Sequence, residues 1–346
     1  MSRNAPAKGC GMAPGEATEM ENFLGLSWLQ TLSAAALVLT LWIYVLLDGA
    51  DLGTGILFGF QHDKNARHSI NLSLLPVWDG NETWLVLAAG GLFGLFPLAY
   101  AIILSALYVP VFAMLLALVV RGMAIEYRHY APRIFDPMLV AGSLLASLAQ
   151  GVIAGSLIQG IPNDGQQFMG HGWEWFSPFP LFCAVALVSG YCLMGAGWLN
   201  WRCSGALESR ARRTVPWLAA LTVLLLAGLL VWSVYLREIW HQHLLNPWVW
   251  MPLASIAVAG CAGLWISIAR RYAFLPLAAI QILISCAFVA LVCTLFPLIV
   301  PGNILIRQAA APPSTQQFLL INFALLAPIT LLYNTWGFRV FSGKIN

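Results

Sequence analysis

Long apolar runs separated by short polar punctuation dominate this chain. Nine such runs cover approximately 26–58, 79–97, 99–121, 137–160, 179–200, 214–236, 248–269, 273–299 and 317–339. A bilayer core is crossed by a helix of about 20 residues, and only helices or closed barrels satisfy their backbone there. The pattern therefore predicts an all-α integral membrane protein with nine transmembrane helices. Proline or glycine marks many run edges, among them Pro76, Pro97, Pro137, Gly160, Pro178, Pro216, Pro247, Pro301 and Pro312. The tightest joint, Phe96-Pro97-Leu98, predicts an antiparallel helical hairpin from the second and third runs. Residues 1–22 are polar and rich in Gly, Ala and Pro, without the apolar stretch of a signal peptide. They are expected to form a disordered tail, or to precede a true start at Met20, ahead of a membrane domain over 23–346.

Composition agrees. Of 346 residues, 60% are hydrophobic and 9% charged, against about 25% charged in soluble domains. The net charge of +3 is small, and its distribution carries the information. Loops after the odd-numbered spans hold thirteen Lys and Arg, including Lys64, Arg67, Arg121, Arg128, Arg133, Arg210 and Lys344. The opposite side holds four: Arg3, Lys8, Arg237 and Arg307. The positive-inside rule then places the N-terminus outside and the C-terminus in the cytoplasm. Trp and Tyr cluster at span ends (Trp173, Trp175, Trp198, Trp201, Trp240, Trp248, Trp250), as at membrane interfaces.

Redox and metal chemistry find little footing. The seven cysteines (Cys10, Cys183, Cys192, Cys203, Cys261, Cys286, Cys293) form no C-x-x-C pattern, and most sit in apolar stretches as small hydrophobes. The six histidines (His62, His68, His129, His171, His241, His243) all fall in loops or at span edges. Met114 and Met194 are mid-span, where a lone Met is a packing residue. A haem ligated by this chain alone is not expected, and His241-x-His243 reads as a solvated pair. No phosphate-binding loop, dinucleotide fingerprint, nucleophile elbow or zinc-protease motif is present.

The acids are the candidate chemistry. Pro76 to Leu85 reads P-V-W-D-G-N-E-T-W-L and sets Asp79, Asn81 and Glu82 at the start of a span. Asp79 and Glu82, three apart, share a helix face. A structural use is available to Asp79 as an N-cap. The alternative is an acid that takes up protons or cations, since ionisable groups in membrane spans mark such paths. Asp48 and Asp51, in D-G-A-D-L-G near the end of span one, lie at the same depth. An anion at a helix C-terminus is mildly unfavourable, which favours function over a solvated helix end. Gly55-x-x-x-Gly59 permits close helix packing. Glu126 lies on the same side, and Arg121 and Arg128 are the natural ion-pair partners of these acids.

With these residues in view, the chain resembles subunit II of the cytochrome bd-type quinol oxidases. The likeness rests on D-G-A-D-L-G at 48–53, P-V-W-D-G-N-E-T-W-L at 76–85 and R-G-M-A-I-E-Y-R at 121–128. It is closest to the cyanide-insensitive branch, whose second motif also reads D-G-N-E-T-W. Ala50 departs from the Phe of many members without removing a carboxylate. The resemblance implies two four-helix bundles plus one peripheral helix in the bacterial inner membrane. It implies a heterodimer with a haem-bearing subunit I, which holds the b- and d-type or b-type haems, oxidises quinol and reduces oxygen to water. Small accessory subunits, and a structural quinone or lipid on this chain, are further implications. The loop at 237–247 is too short for a quinol-binding domain. Family likeness assigns Asp79 to a cytoplasmic proton path, with Asp48, Asp51 and Glu126 as further acids on that side and Asn81 and Glu82 assisting. The rival expectation is a secondary transporter coupling protons or sodium through the same acids, which would want its site at the membrane midplane. A purely structural scaffold is the third.

Overall fold

The computed structural model describes residues 25–236, 247–340 and 343–345. The tail over 1–22 and the His241–His243 pair lie outside them. The elements are α1 (Trp28–Phe58), α2 (Lys64–Leu74), α3 (Trp78–Leu95), α4 (Pro97–Tyr127), α5 (Pro132–Gln159), α6 (Pro178–Arg202), α7 (Gly205–Leu236), α8 (Pro247–Ala269), α9 (Leu275–Leu295), a hairpin β1 (Leu298–Val300) and β2 (Ile304–Leu305), α10 (Ile306–Ala309) and α11 (Pro313–Val340).

Local chemistry sets the helix ends. Ser27 and Gln30 form a capping box at the start of α1. Proline opens α4, α5 and α6, where its missing N–H costs nothing. Gly160 closes α5 at φ +93°, a conformation glycine adopts without strain. In α4, Pro110 cannot bond the carbonyl of Ala106, and the helix breaks at Leu107 (φ −119°, ψ 21°).

Among the described residues, eight helices are long and apolar enough to cross a membrane. The remaining expected span, α3, is an 18-residue helix whose first turns, W-D-G-N-E, lower its hydropathy. It runs as expected into α4 through the single joint residue Phe96. Three differences from the sequence expectation matter. Span three does not end at residue 121 but continues to Tyr127, so Arg121 is a buried helix residue rather than a loop cation. Subtracting it leaves the cation asymmetry at twelve to four. The polar stretch after α1 holds a helix of its own, α2, whose Asp63 side chain accepts from Ala66 N–H. Span eight stops at Leu295, and the apolar residues after it pair as β1–β2.

Helix α6 is the hub, packed on α1, α5, α7 and α9. Of its spanning stretch 72% is buried, against 11% for α7 and α11. Small residues make this possible. A Cβ on Gly53 would lie 1.6 Å from the Tyr191 carbonyl oxygen, and one on Gly195 would lie 2.4 Å from the Gly53 backbone. Gly55 and Gly59 face α5, through Ser143 and Val140. Helix α1 thus touches both α5 and α6 at near-backbone distance, which fixes the depth of the residues between Asp48 and Gly59. Helix α3 rests on α1, α4 and α11. The outward faces of α7, α8 and α11 are apolar (Trp217, Leu224, Trp248, Trp265, Ile321, Leu332), as lipid contact requires.

Candidate functional site

The buried polar core of the bundle lies where α1, α3 and α4 meet. Asp48 and Asp51 sit one helical turn apart on α1, and both are buried. Arg121 reaches them from α4 and is itself fully buried. Its Nη1 donates to Asp48 Oδ1 at 2.7 Å and its Nη2 to Glu82 Oε2 of α3 at 2.9 Å. One guanidinium therefore ties three helices together. Asn81, beside Glu82, donates from Nδ2 to Asp51 Oδ2 at 2.8 Å. A charged group without a partner in such surroundings is costly, whereas hydrogen-bonded opposite charges compensate one another. Electroneutrality of the three carboxyls and single guanidinium calls for two protons or two further cations. Asp48 Oδ2, Asp51 Oδ1, Asn81 Oδ1, Thr54 Oγ1 and Arg121 Nε are buried with no protein partner among the described residues.

The cluster has an outer and an inner extension. Outward, Glu82 is half-buried, with a side-chain exposure of 24%, and Asp79 is exposed within electrostatic reach of it. Inward, the Tyr44 hydroxyl approaches Asp48 from one turn up α1. Gln150 of α5 donates to Tyr44 Oη at 2.6 Å, and Tyr191 of α6 donates to Gln150 Oε1 at 2.7 Å. Together these groups run from a surface carboxylate to the hub helix. A cavity of about 270 Å³ between α3 and α11 is lined by Asn81, Gly80, Tyr333, Asn334, Trp336 and Phe338, among others. Asn81 thus stands between that cavity and Asp51.

The sequence-derived candidates divide accordingly. Asp48, Asp51, Asn81, Glu82 and Arg121 come together. Asp79 is not the N-cap: α3 begins at Trp78, which packs on Gly122 of α4, and the flanking residue is Val77, two positions before Asp79. Asp79 stays in the first turn, where the helix dipole favours an anion. Glu126 is exposed on the outer face of α4, away from the buried cluster. Arg128 does not pair with the motif acids; its Nε donates to Asp136 Oδ1 of α5 at 2.6 Å. It lies seven residues beyond Arg121, past the depth of the cluster. Tyr44, Gln150 and Tyr191 are additions, and a glutamine in the middle of a spanning helix was their sequence signal.

The described histidines are all exposed, His62, His129 and His171 outside the helices and His68 on the short helix α2. Met114 and Met194 are buried in an apolar cluster. These residues do not fit axial ligation of a membrane-buried haem. At the other end of the bundle, the 160–177 loop is ordered by two carboxylates. Asp164 accepts from Gln166 and Gln167 N–H and is held below the usual carboxylate range by those bonds. Partial burial pushes Glu174 up, but bonds from His171 and Gly172 N–H outweigh it and the net shift is downward.

With that geometry set, comparison with known proteins is specific. The family described as "Cytochrome bd terminal oxidase subunit II" matches residues 29–341. The chain is 27% identical over 352 residues to "Cytochrome bd-I ubiquinol oxidase subunit 2" of Escherichia coli (strain K12), covering 87% of this chain and 91% of that protein. It is 30% identical over 177 residues to "Cytochrome bd ubiquinol oxidase subunit 2" of Bacillus subtilis (strain 168), covering 49% of this chain and 52% of that one. Its fold is similar to a chain in the structure of bd oxidase from Geobacillus thermodenitrificans, with a TM-score of 0.74 at 21% identity over 91% of this chain and 99% of that chain.

Proposed function

Because the chain belongs to the cytochrome bd terminal oxidase subunit II family, we propose that it braces a haem-bearing subunit I and brings cytoplasmic protons to it. It is a multi-pass inner-membrane subunit of a quinol oxidase, an oxidoreductase. The finer frame of the proposal is nine spans in two four-helix bundles plus a peripheral helix, with the N-terminus outside. The placement of every described histidine at an exposed edge supports leaving haem ligation to the partner. When bound there, the haems supply the electron transfer and oxygen reduction.

The observation that carries the proton role is the graded burial of one connected set of acids. Asp79 is exposed, Glu82 half-buried, and Asp48 and Asp51 closed off, with Arg121 joining Glu82 to Asp48. Asp79 collects a proton from the cytoplasmic side. Glu82 passes it inward by breaking and remaking its bond to Arg121, whose fixed charge keeps the site from trapping the proton. Asp48 receives it, and Tyr44, Gln150 and Tyr191 extend the hydrogen-bonded line towards the hub helix. Asn81 holds Asp51 in position. The gathering of Asp48, Asp51, Asp79 and Glu82 near one end of the bundle fits proton delivery to a neighbouring subunit better than a midplane transport site.

The test is Asp79→Asn in the complete oxidase. The amide keeps the shape of α3's first turn, so the complex assembles at the parental level. Quinol-driven oxygen consumption falls by roughly tenfold or more, the scale of a lost acid–base group. Unchanged turnover in a fully assembled variant would remove Asp79 from the path.

A further inference from the structure

At the same end of the bundle as the acid cluster lies a second charged group, which proton delivery leaves unused. Asp136, near the start of α5, is gripped by two guanidinia. Arg67 of α2 donates from Nη1 to its Oδ2 at 2.9 Å, and Arg128 at the end of α4 donates from Nε to its Oδ1 at 2.6 Å. Both guanidinia lie against the ring of Phe58, at 5.2 and 5.3 Å from its centroid. Arg67 Nε also donates to the Gln61 carbonyl at 2.7 Å, and Arg210 Nη1 of α7 stands 3.5 Å from Gln61 Oε1. Two cations thus share one carboxylate, and a third stands on Gln61 beside Arg67. Asp63 and Glu208, acids of adjoining segments, are taken up by the α2 cap and by Arg212 and Lys344.

The guanidinia keep donors to spare. Arg128 uses only Nε and Arg67 only Nε and Nη1 in the bonds among the described residues. The free ends are held in place by the ring and by Asp136, so a bound anion would cost them little rotamer entropy. Alongside, large apolar side chains face outward: Phe60 is 73% exposed, Tyr130 75% and Ile134 60%. A soluble anion would answer the charge and leave these three in water. A phosphate joined to acyl chains answers both.

The geometry points to a specific site for an anionic phospholipid, with its phosphate on Arg67, Arg128 and Arg210 and its chains over Phe60, Tyr130 and Ile134. A basic pocket between helix ends on the positively charged side of a membrane protein is suited to such headgroups, and guanidinium forks match phosphate oxygens. The site would tie α1, α2, α4, α5 and α7 together at one end.

The test uses the complete detergent-purified oxidase, delipidated and then supplied with phosphatidylglycerol, phosphatidylcholine or inorganic phosphate, with bound species counted by native mass spectrometry. The parent is expected to retain one more tightly held phosphatidylglycerol than either Arg67→Gln or Arg210→Gln. Arg307→Gln, an exposed cation at the opposite end of the bundle, is expected to keep the parental count. Arg210 is exposed, so its variant serves even if Arg67→Gln disturbs the fold. Equal retention in the parent and Arg210→Gln would overturn the proposal. So would equal retention of phosphatidylcholine, or displacement of the bound lipid by millimolar inorganic phosphate.

Discussion

Replacing Arg121 by leucine probes the site where its energetics are steepest. The guanidinium is fully buried, and it is the cation that bonds both Asp48, fully buried, and Glu82, 24% exposed. Removing one member of a buried pair strands the other, at a cost of roughly 3–5 kcal/mol. The Asp48 arm carries most of that, because Glu82 can turn towards water. Against a typical stability of about 5–15 kcal/mol, the loss is large enough to lower the amount of assembled oxidase and its resistance to heat. The assay is the yield and thermal inactivation rate of the purified complex, measured beside Arg121→Leu combined with Asp48→Asn. The double variant no longer buries the carboxylate that Arg121 had bonded most deeply, so it should recover at least half of the stability loss while staying slow in turnover. An Arg121→Leu complex as abundant and heat-resistant as the parent would refute the reasoning. A double variant no better than the single one would do the same.

Two further outcomes follow from other parts of the fold. Gly53→Ala forces a methyl group into the Tyr191 carbonyl, so α1 and α6 must separate; overpacking of this kind costs about 1–3 kcal/mol, read as a lowered thermal midpoint of the complex. In the 160–177 loop, Glu174 is held below its ordinary range. Its stabilisation is therefore complete above the unfolded carboxylate range near pH ~4.3 and is lost as pH falls through its lower folded value. Hydrogen exchange at His171 and Gly172, corrected for intrinsic rate, should accelerate on acidification in the parent and lose that pH dependence in Glu174→Gln.

Much of the fold was legible because spanning helices must satisfy their backbone internally and present apolar side chains outward. The proline-marked joint at Phe96 and the pairing of α3 with α4 followed from that alone. Helix ends were harder. Arg121 is legible as an ion-pair partner of the motif acids but reads as a loop cation, since nothing local announces that the helix continues past it and buries it against Asp48 and Glu82, 73 and 39 residues away. Asp136, only eight residues beyond Arg128, meets it because the short joint between α4 and α5 turns the chain back on itself. Within the motif, spacing correctly put Asp48 beside Asp51 on one helix. It could not separate Asp79 from Glu82 in burial, because that depends on how α3 leans on α4 through Trp78 and Gly122. Gln150 and Tyr44 were visible as polar groups in apolar spans, but their pairing needed the packing of α1 against α5.

The central claim is that protons reach the interior through Asp79 and Glu82, and the most direct measurement is proton uptake itself. The fully reduced Asp79→Asn oxidase, mixed with oxygen, would be followed in one turnover by a pH-sensitive dye and by haem absorbance. Proton uptake should slow by about tenfold, equal to roughly 1.4 kcal/mol of added barrier, while the earliest electron-transfer phase keeps its parental rate. Proton uptake at the parental rate in a fully assembled variant would contradict it.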